Sequence, residues 1–183
     1  GIIDYKGKSY CFGLCYDIFR METGRHAERR SVSAAEMEYN SDGTIRELPY
    51  FLDCKLEQVG TFNPYRRVEA ETMAWGYGLK TTRQNPTLFV TDIDDGEYIL
   101  VKGVDFGDGA SVLEASCSAQ LYGGRIKVRL DAPDGWIAGI IDVTNTKFKY
   151  ETFRTGLTKC KGVHDVYFMF ESTSAQKRNL FNF

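Results

Sequence analysis

Apolar and polar residues alternate along most of this chain with a period of two, the spacing of a half-buried β-strand. In the first 50 residues, Ile2 to Tyr5 and Ser9 to Leu14 read as strands joined by the short turn Lys6-Gly7-Lys8. A polar loop from Met21 to Arg30 carries His26, and Arg30-Ser31-Val32-Ser33 restarts a strand before the turn signal Asn40-Ser41-Asp42-Gly43-Thr44. A segment of this size is too small to bury a core alone. From Tyr65 onward the pattern predicts strands at Arg66 to Glu71, Glu97 to Val104, Ser111 to Gln120, Gly124 to Leu130, Ile137 to Val143, Lys149 to Gly156 and Val163 to Phe170. A last one begins near Asn179. Each run is closed by Gly, Asp, Asn or Pro, and no helical periodicity competes in this half. Short strands at such spacing predict an all-β fold, a β-sandwich or jelly roll.

The stretch Asn63-Pro64-Tyr65-Arg66-Arg67-Val68-Glu69-Ala70-Glu71 adds chemistry to this pattern. If it is extended, Val68 and Ala70 share one face, and Glu69 and Glu71 stand side by side on the other, about 7 Å apart. Parallel carboxylates repel unless a cation sits between them, and calcium is a natural guest. The plain alternative is two solvated glutamates. Other acids have simpler roles. Asp94-Asp95-Gly96 reads as a hairpin turn, and Asp105 and Asp108 read as turn formers.

Composition narrows the function. Of 183 residues, 43% are apolar and 26% charged, ordinary values for a globular protein. A net charge of -2 gives nucleic acid or an anionic membrane nothing to attract. No apolar run approaches the roughly 20 residues of a membrane span. Five cysteines without a CxxC spacing argue against a zinc site and against a disulfide framework. No Ser-His-Asp order, nucleophile elbow, phosphate loop or HExxH is present, so the chain by itself does not read as a complete enzyme. The deviation is aromatic: eleven Tyr, twelve Phe and two Trp. Trp75, Tyr77, Tyr122, Trp136, Phe148 and Tyr150 fall in turns or at strand ends, where rings can serve as platforms for sugars. The chain opens inside a strand without a signal peptide, as a cut through a longer protein would.

From Tyr65 to the end the chain resembles the carbohydrate-binding module family 6. The resemblance is carried by Tyr65-Arg66-Arg67-Val68-Glu69-Ala70-Glu71, Ile93-Asp94-Asp95-Gly96-Glu97-Tyr98-Ile99, Gly124-Arg125-Ile126-Lys127-Val128-Arg129-Leu130-Asp131, Gly162-Val163-His164-Asp165-Val166-Tyr167-Phe168-Met169-Phe170 and Leu180-Phe181-Asn182-Phe183, in that order. Residues 1 to about 50 resemble the closing, C-terminal piece of a glycoside hydrolase family 43 catalytic domain, a five-bladed propeller. The carriers there are Tyr5-Lys6-Gly7-Lys8-Ser9-Tyr10, Arg29-Arg30-Ser31-Val32-Ser33 and Tyr39-Asn40-Ser41-Asp42-Gly43-Thr44-Ile45. The resemblance implies three parts: a propeller remnant at 1–52, a linker at 53–62, and a carbohydrate-binding jelly roll at 63–183. It implies a β-linked plant polysaccharide of the xylan or arabinoxylan class as ligand, an upstream glycoside hydrolase catalytic domain as partner, and a secreted or cell-surface location. Glu69 and Glu71 match the family's ligands for a structural calcium ion. Asn182 matches its hydroxyl-ordering Asn, and Tyr150 (or Phe148, one register away) its stacking aromatic. Asp92 stands where a second aromatic is expected. Trp75, or a second cleft on the concave face, is a further candidate contact. Two other readings stay open: a fragment of an arabinofuranosidase or β-xylosidase hydrolysing O-glycosyl bonds, and a structural sandwich that braces the propeller.

Overall fold

In the computed structural model, residues 1–24, 31–54, 56–84 and 86–183 are described; His26 and the polar loop around it lie outside them. The chain divides into two compact units, Gly1–Val59 and Gly60–Phe183.

The first unit is a three-stranded antiparallel sheet in the order β1-β2-β3, formed by β1 (Ile2–Tyr5), β2 (Lys8–Cys15) and β3 (Ser31–Met37). The predicted hairpin is there, with Tyr5 paired to Lys8 across the Lys6-Gly7 turn. The register places Ile3, Tyr5, Tyr10, Phe12, Leu14 and Val32 on one face. All but Tyr10 are exposed. The opposite face carries Ala35 and Met37, both buried. There the ring of Phe51, in a short 3-10 turn (Phe51–Asp53), lies over Gly13, where any side chain would collide with it. Part of the expected loop is helical: α1 (Asp17–Thr23) has an acid in its first turn and closes on Gly24, whose left-handed backbone donates to the Arg20 carbonyl.

The second unit is a sandwich. Its larger sheet has the order β10-β9-β12-β7-β4, built from β4 (Trp75–Tyr77), β7 (Tyr98–Asp105), β9 (Gly124–Leu130), β10 (Trp136–Val143) and β12 (Val163–Glu171). The other layer comes from two strand pairs, β5 (Lys80–Gln84) with β6 (Thr87–Thr91), and β8 (Val112–Cys117) with β11 (Glu151–Gly156). The end of the chain joins those pairs. Phe183 exchanges backbone hydrogen bonds with Val90 of β6, and Asn182 with Ser118 just after β8. Between the layers lies a core that includes Val90, Ile99, Cys117, Ile126, Ile141, Phe170, Leu180 and Phe181. Period-two alternation is clearest in β9, where Ile126, Val128 and Leu130 point into the core and Arg125, Lys127 and Arg129 point out.

Two expectations need correction. Arg66 to Glu71 is not a strand: the chain turns there, with the Thr72 amide donating to the Glu69 carbonyl at 3.0 Å. Glu69 and Glu71 are therefore not neighbours along an extended face. β4, β5 and β6 were not predicted. β4 has only three residues, and every residue of β5 is exposed, so neither shows an apolar alternation.

Candidate functional site

Tyr150 leaves a loop that two buried contacts hold in place. Thr146, itself buried, donates its backbone amide to the Ala119 carbonyl at 3.1 Å, and its hydroxyl accepts from the Ala119 amide at 2.9 Å. Phe148 donates to the same carbonyl. Lys147 and Phe148 adopt left-handed backbone conformations, which turn the loop back toward β11. Phe148 stays well exposed at its tip. Tyr150 instead meets Phe89 edge to face, ring centroids 6.1 Å apart. Burial, with the nearby Cys117 thiol and the Glu71 carboxylate adding to it, pushes the Tyr150 hydroxyl up to about 12. It remains a neutral hydrogen-bond donor in any ordinary buffer.

Asn182 reaches the same rim from the closing segment. Leu180 and Phe181 are buried, Asn182 is half-buried between the two strand pairs, and its side-chain oxygen accepts from the Thr91 hydroxyl at 2.9 Å. Thr91 and Phe89 lie two apart on β6 and share a face. The sequence-predicted residues Tyr150 and Asn182 are thus brought together through two residues the sequence reading missed, Phe89 and Thr91. The signal that could have found them is the short apolar run Leu88-Phe89-Val90, flanked by the β-branched Thr87 and Thr91 directly after Asn85-Pro86.

Asp92 follows Thr91 with a left-handed backbone (φ 53°) and forms an ion pair with Lys80 at 3.0 Å. Beyond it Glu97 packs against Gly78 and accepts the Asp94 amide at 2.9 Å; burial raises its carboxyl above the usual range, Asp94 and Asp92 adding to the effect. Asp94 and Asp95 accept from the backbone amides of Asn179 and Ser172, so these acids staple loops, as their turn-forming sequence suggests.

Glu69 and Glu71 bracket the turn described above. Arg67 donates to both oxygens of Glu69, at 2.9 and 3.3 Å. Two carboxylates are hard oxygen donors of the kind calcium takes, and the guanidinium stands where a cation would lie against Glu69. Among the described residues no group of three or more His, Cys, Asp or Glu side chains is gathered as a metal site.

Trp75 lies elsewhere, on the solvent face of the larger sheet. Cross-strand register aligns Trp75, Leu100, Tyr167 and Arg129 in one row, and Tyr77, Tyr98, Met169 and Lys127 in the next. Tyr77 stacks on Tyr98 at 5.7 Å, and Tyr98 meets Tyr167 at 5.8 Å. Trp136 is exposed too, but the Lys159 ammonium sits 3.5 Å over its ring and already occupies that face. His164 bridges Asp131 and the Lys161 carbonyl through its two ring nitrogens, a structural brace.

The family model described as carbohydrate binding module (family 6) matches residues 69–183. An arabinoxylan arabinofuranohydrolase of Bacillus subtilis (strain 168) is 35% identical over 162 residues, 84% of this chain and 31% of that protein. The crystal structure of a glycoside hydrolase family 43 arabinoxylan arabinofuranohydrolase from Bacillus subtilis, in complex with cellotetraose, superposes with a TM-score of 0.87 at 32% identity, covering 100% of this chain and 38% of that one. A family 6 carbohydrate-binding module from Clostridium cellulolyticum, in complex with xylose, gives a TM-score of 0.60 at 30% identity over 66% of this chain and 97% of its own. The present chain spans about a third of the curated relatives' length.

Proposed function

Residues 69–183 belong to carbohydrate-binding module family 6, and the whole chain is related to family 43 arabinoxylan arabinofuranohydrolases; on that footing we propose that the sandwich binds xylan or arabinoxylan and presents it to a hydrolase domain. The observation that carries this reading is the meeting of Tyr150, Phe89, Thr91 and Asn182 on one rim. An aromatic ring offers a face to the apolar side of a sugar, and an amide beside it orders the hydroxyls. Affinity at one shallow site is modest, since hydroxyls are desolvated as the ring stacks. Tethering then raises substrate concentration near the catalytic domain. Titrating the isotope-labelled chain with xylohexaose tests this directly. The Tyr150 and Asn182 resonances shift together; silence at both under millimolar ligand rejects the site.

Trp75 belongs to a second reading, in which the aromatic rows of the larger sheet hold a sugar chain. It is favoured by the exposure of Trp75 and Tyr77 beside the stacked Tyr98. Shifts confined to β4 and β7 in the same titration would select it. Hydrolysis is assigned to the longer parent. This chain is expected to release nothing from aryl arabinofuranoside or xyloside, which separates binding from the arabinofuranosidase or xylosidase alternative. If the sandwich is purely structural, neither face responds to sugar.

Calcium is proposed on donor chemistry alone. Glu69 and Glu71 would hold it, with Arg67 released from Glu69. The expected outcome is a melting temperature that falls when EGTA is added and recovers with excess calcium. A melting curve indifferent to both rejects the ion.

A further inference from the structure

One neighbour of the Tyr150–Asn182 rim is left unused by the sugar-binding reading: the Lys80–Asp92 ion pair. Lys80 is the cross-strand partner of Thr91, so it leaves the β5–β6 ribbon on the same face as the hydroxyl that bonds Asn182. Phe89, two pairs further along, shares that face and meets Tyr150. The register therefore sets the groups in a row. Tyr150 stands against Phe89 at one end, Thr91 with Asn182 lies in the middle, and Lys80 with Asp92 stands at the other end. A pyranose ring seated over Asn182 has an aromatic surface on one side and an ion pair on the other.

The two walls differ in what they exclude. A ring is flat and rigid, and it cannot withdraw from a substituent that projects toward it. Lys80 and Asp92 are flexible side chains, 71% and 48% exposed, joined by one contact in solvent. Exposed pairs of this kind separate readily. Once apart, the ammonium donates to sugar oxygens and the carboxylate accepts from sugar hydroxyls, both as charge-assisted hydrogen bonds.

We propose that Lys80 and Asp92 form an open, polar wall, and that this wall admits xylan chains bearing a pentose branch on the ring over Asn182 as well as undecorated chains. The proposal rests on the sugar-binding reading of Tyr150 and Asn182, and the experiment separates the two. Calorimetric titrations of the full chain use xylohexaose and the same hexaose carrying one arabinosyl branch, each with wild type, Asp92→Trp, Lys80→Trp and Asp92→Ala. Wild type binds the two ligands within about threefold of each other, and Asp92→Ala keeps that tolerance. Either tryptophan variant closes the wall and shifts the ratio about tenfold or more against the branched ligand, the scale of a steric pocket effect. Lys80→Trp lies in a strand that accepts aromatics and decides the matter if Asp92→Trp fails to fold, since Asp92 carries a left-handed backbone. A wild type that binds xylohexaose but rejects the branched ligand tenfold overturns the open wall and leaves the sugar site standing. So does an unchanged ratio in a folded tryptophan variant. A wild type that binds neither ligand removes the sugar site, and the open wall with it.

Discussion

Tyr150 and Cys117 sit together at the rim, one presenting a ring to solvent and the other fully buried beneath it. Tyr150→Ala removes the stacking surface, and because such a ring contributes about 1 kcal/mol or more, affinity for xylohexaose is expected to fall at least about fivefold. Calorimetry measures it, and circular dichroism checks that the fold is kept. Cys117 gives a prediction about pH. Burial pushes its thiol from 9.0 up to about 12. A thiol that ionises less readily in the folded chain leaves stability untouched below pH 9 and erodes it as pH rises toward 12, by about 4 kcal/mol in full. Denaturant midpoints at pH 8 and pH 11 should therefore converge in Cys117→Ala relative to wild type. Tyr150 stood out in the sequence only as one of six aromatics near turns or strand ends, and Asn182 was singled out by the family resemblance alone, because a lone amide in an apolar run carries no local signal of its own. The strand expected at Arg66 to Glu71 misled for a local reason. Alternation over five residues looks like a strand, yet the Glu69-to-Thr72 hydrogen bond closes a turn, and no residue type in the stretch announces it.

The elements that build the rim are joined by the segment Leu180–Phe183, which pairs with β6 on one side and follows β8 on the other. Leu180 and Phe181 are both buried in the core, and the segment then turns an amide outward. Phe181 meets Phe170 at 5.6 Å in the core, Phe183 meets Phe168 at 6.0 Å, and Asn182 faces out between them. Phe181→Ala is expected to cost about 3–5 kcal/mol, because a large cavity opens where both layers pack. Urea unfolding reads that loss, and the Thr91–Asn182 contact should loosen with it. In the larger sheet β7, β9, β10 and β12 were readable from their apolar content, β9 also from strict alternation, whereas the three residues of β4 carry no such pattern. β5 was not readable, because both of its faces meet solvent and only its pairing with β6 makes it a strand. The polar wall was invisible for that reason: Lys80 and Asp92 become partners only once the β5–β6 hairpin exists.

At the scale of the whole chain, the division into two compact units falls between Val59 and Gly60, inside the stretch 53–62 that the family resemblance implies as a linker. Limited proteolysis is expected to cut first in this stretch and leave a stable fragment beginning near Gly60, identified by mass spectrometry. That fragment should melt cooperatively, since its apolar cluster lies within residues 90–181. The first unit is built differently. One face of its sheet bears Ile3, Tyr5, Phe12, Leu14 and Val32, and Val32 is 72% exposed. In a test tube this face makes the chain a poor colloid. It will take up hydrophobic dyes, adhere to plastic and drive particles toward one another as concentration rises. Weak self-association is therefore the background that every millimolar titration of this protein has to subtract, and a single charged residue in place of Val32 is the simplest way to quiet it.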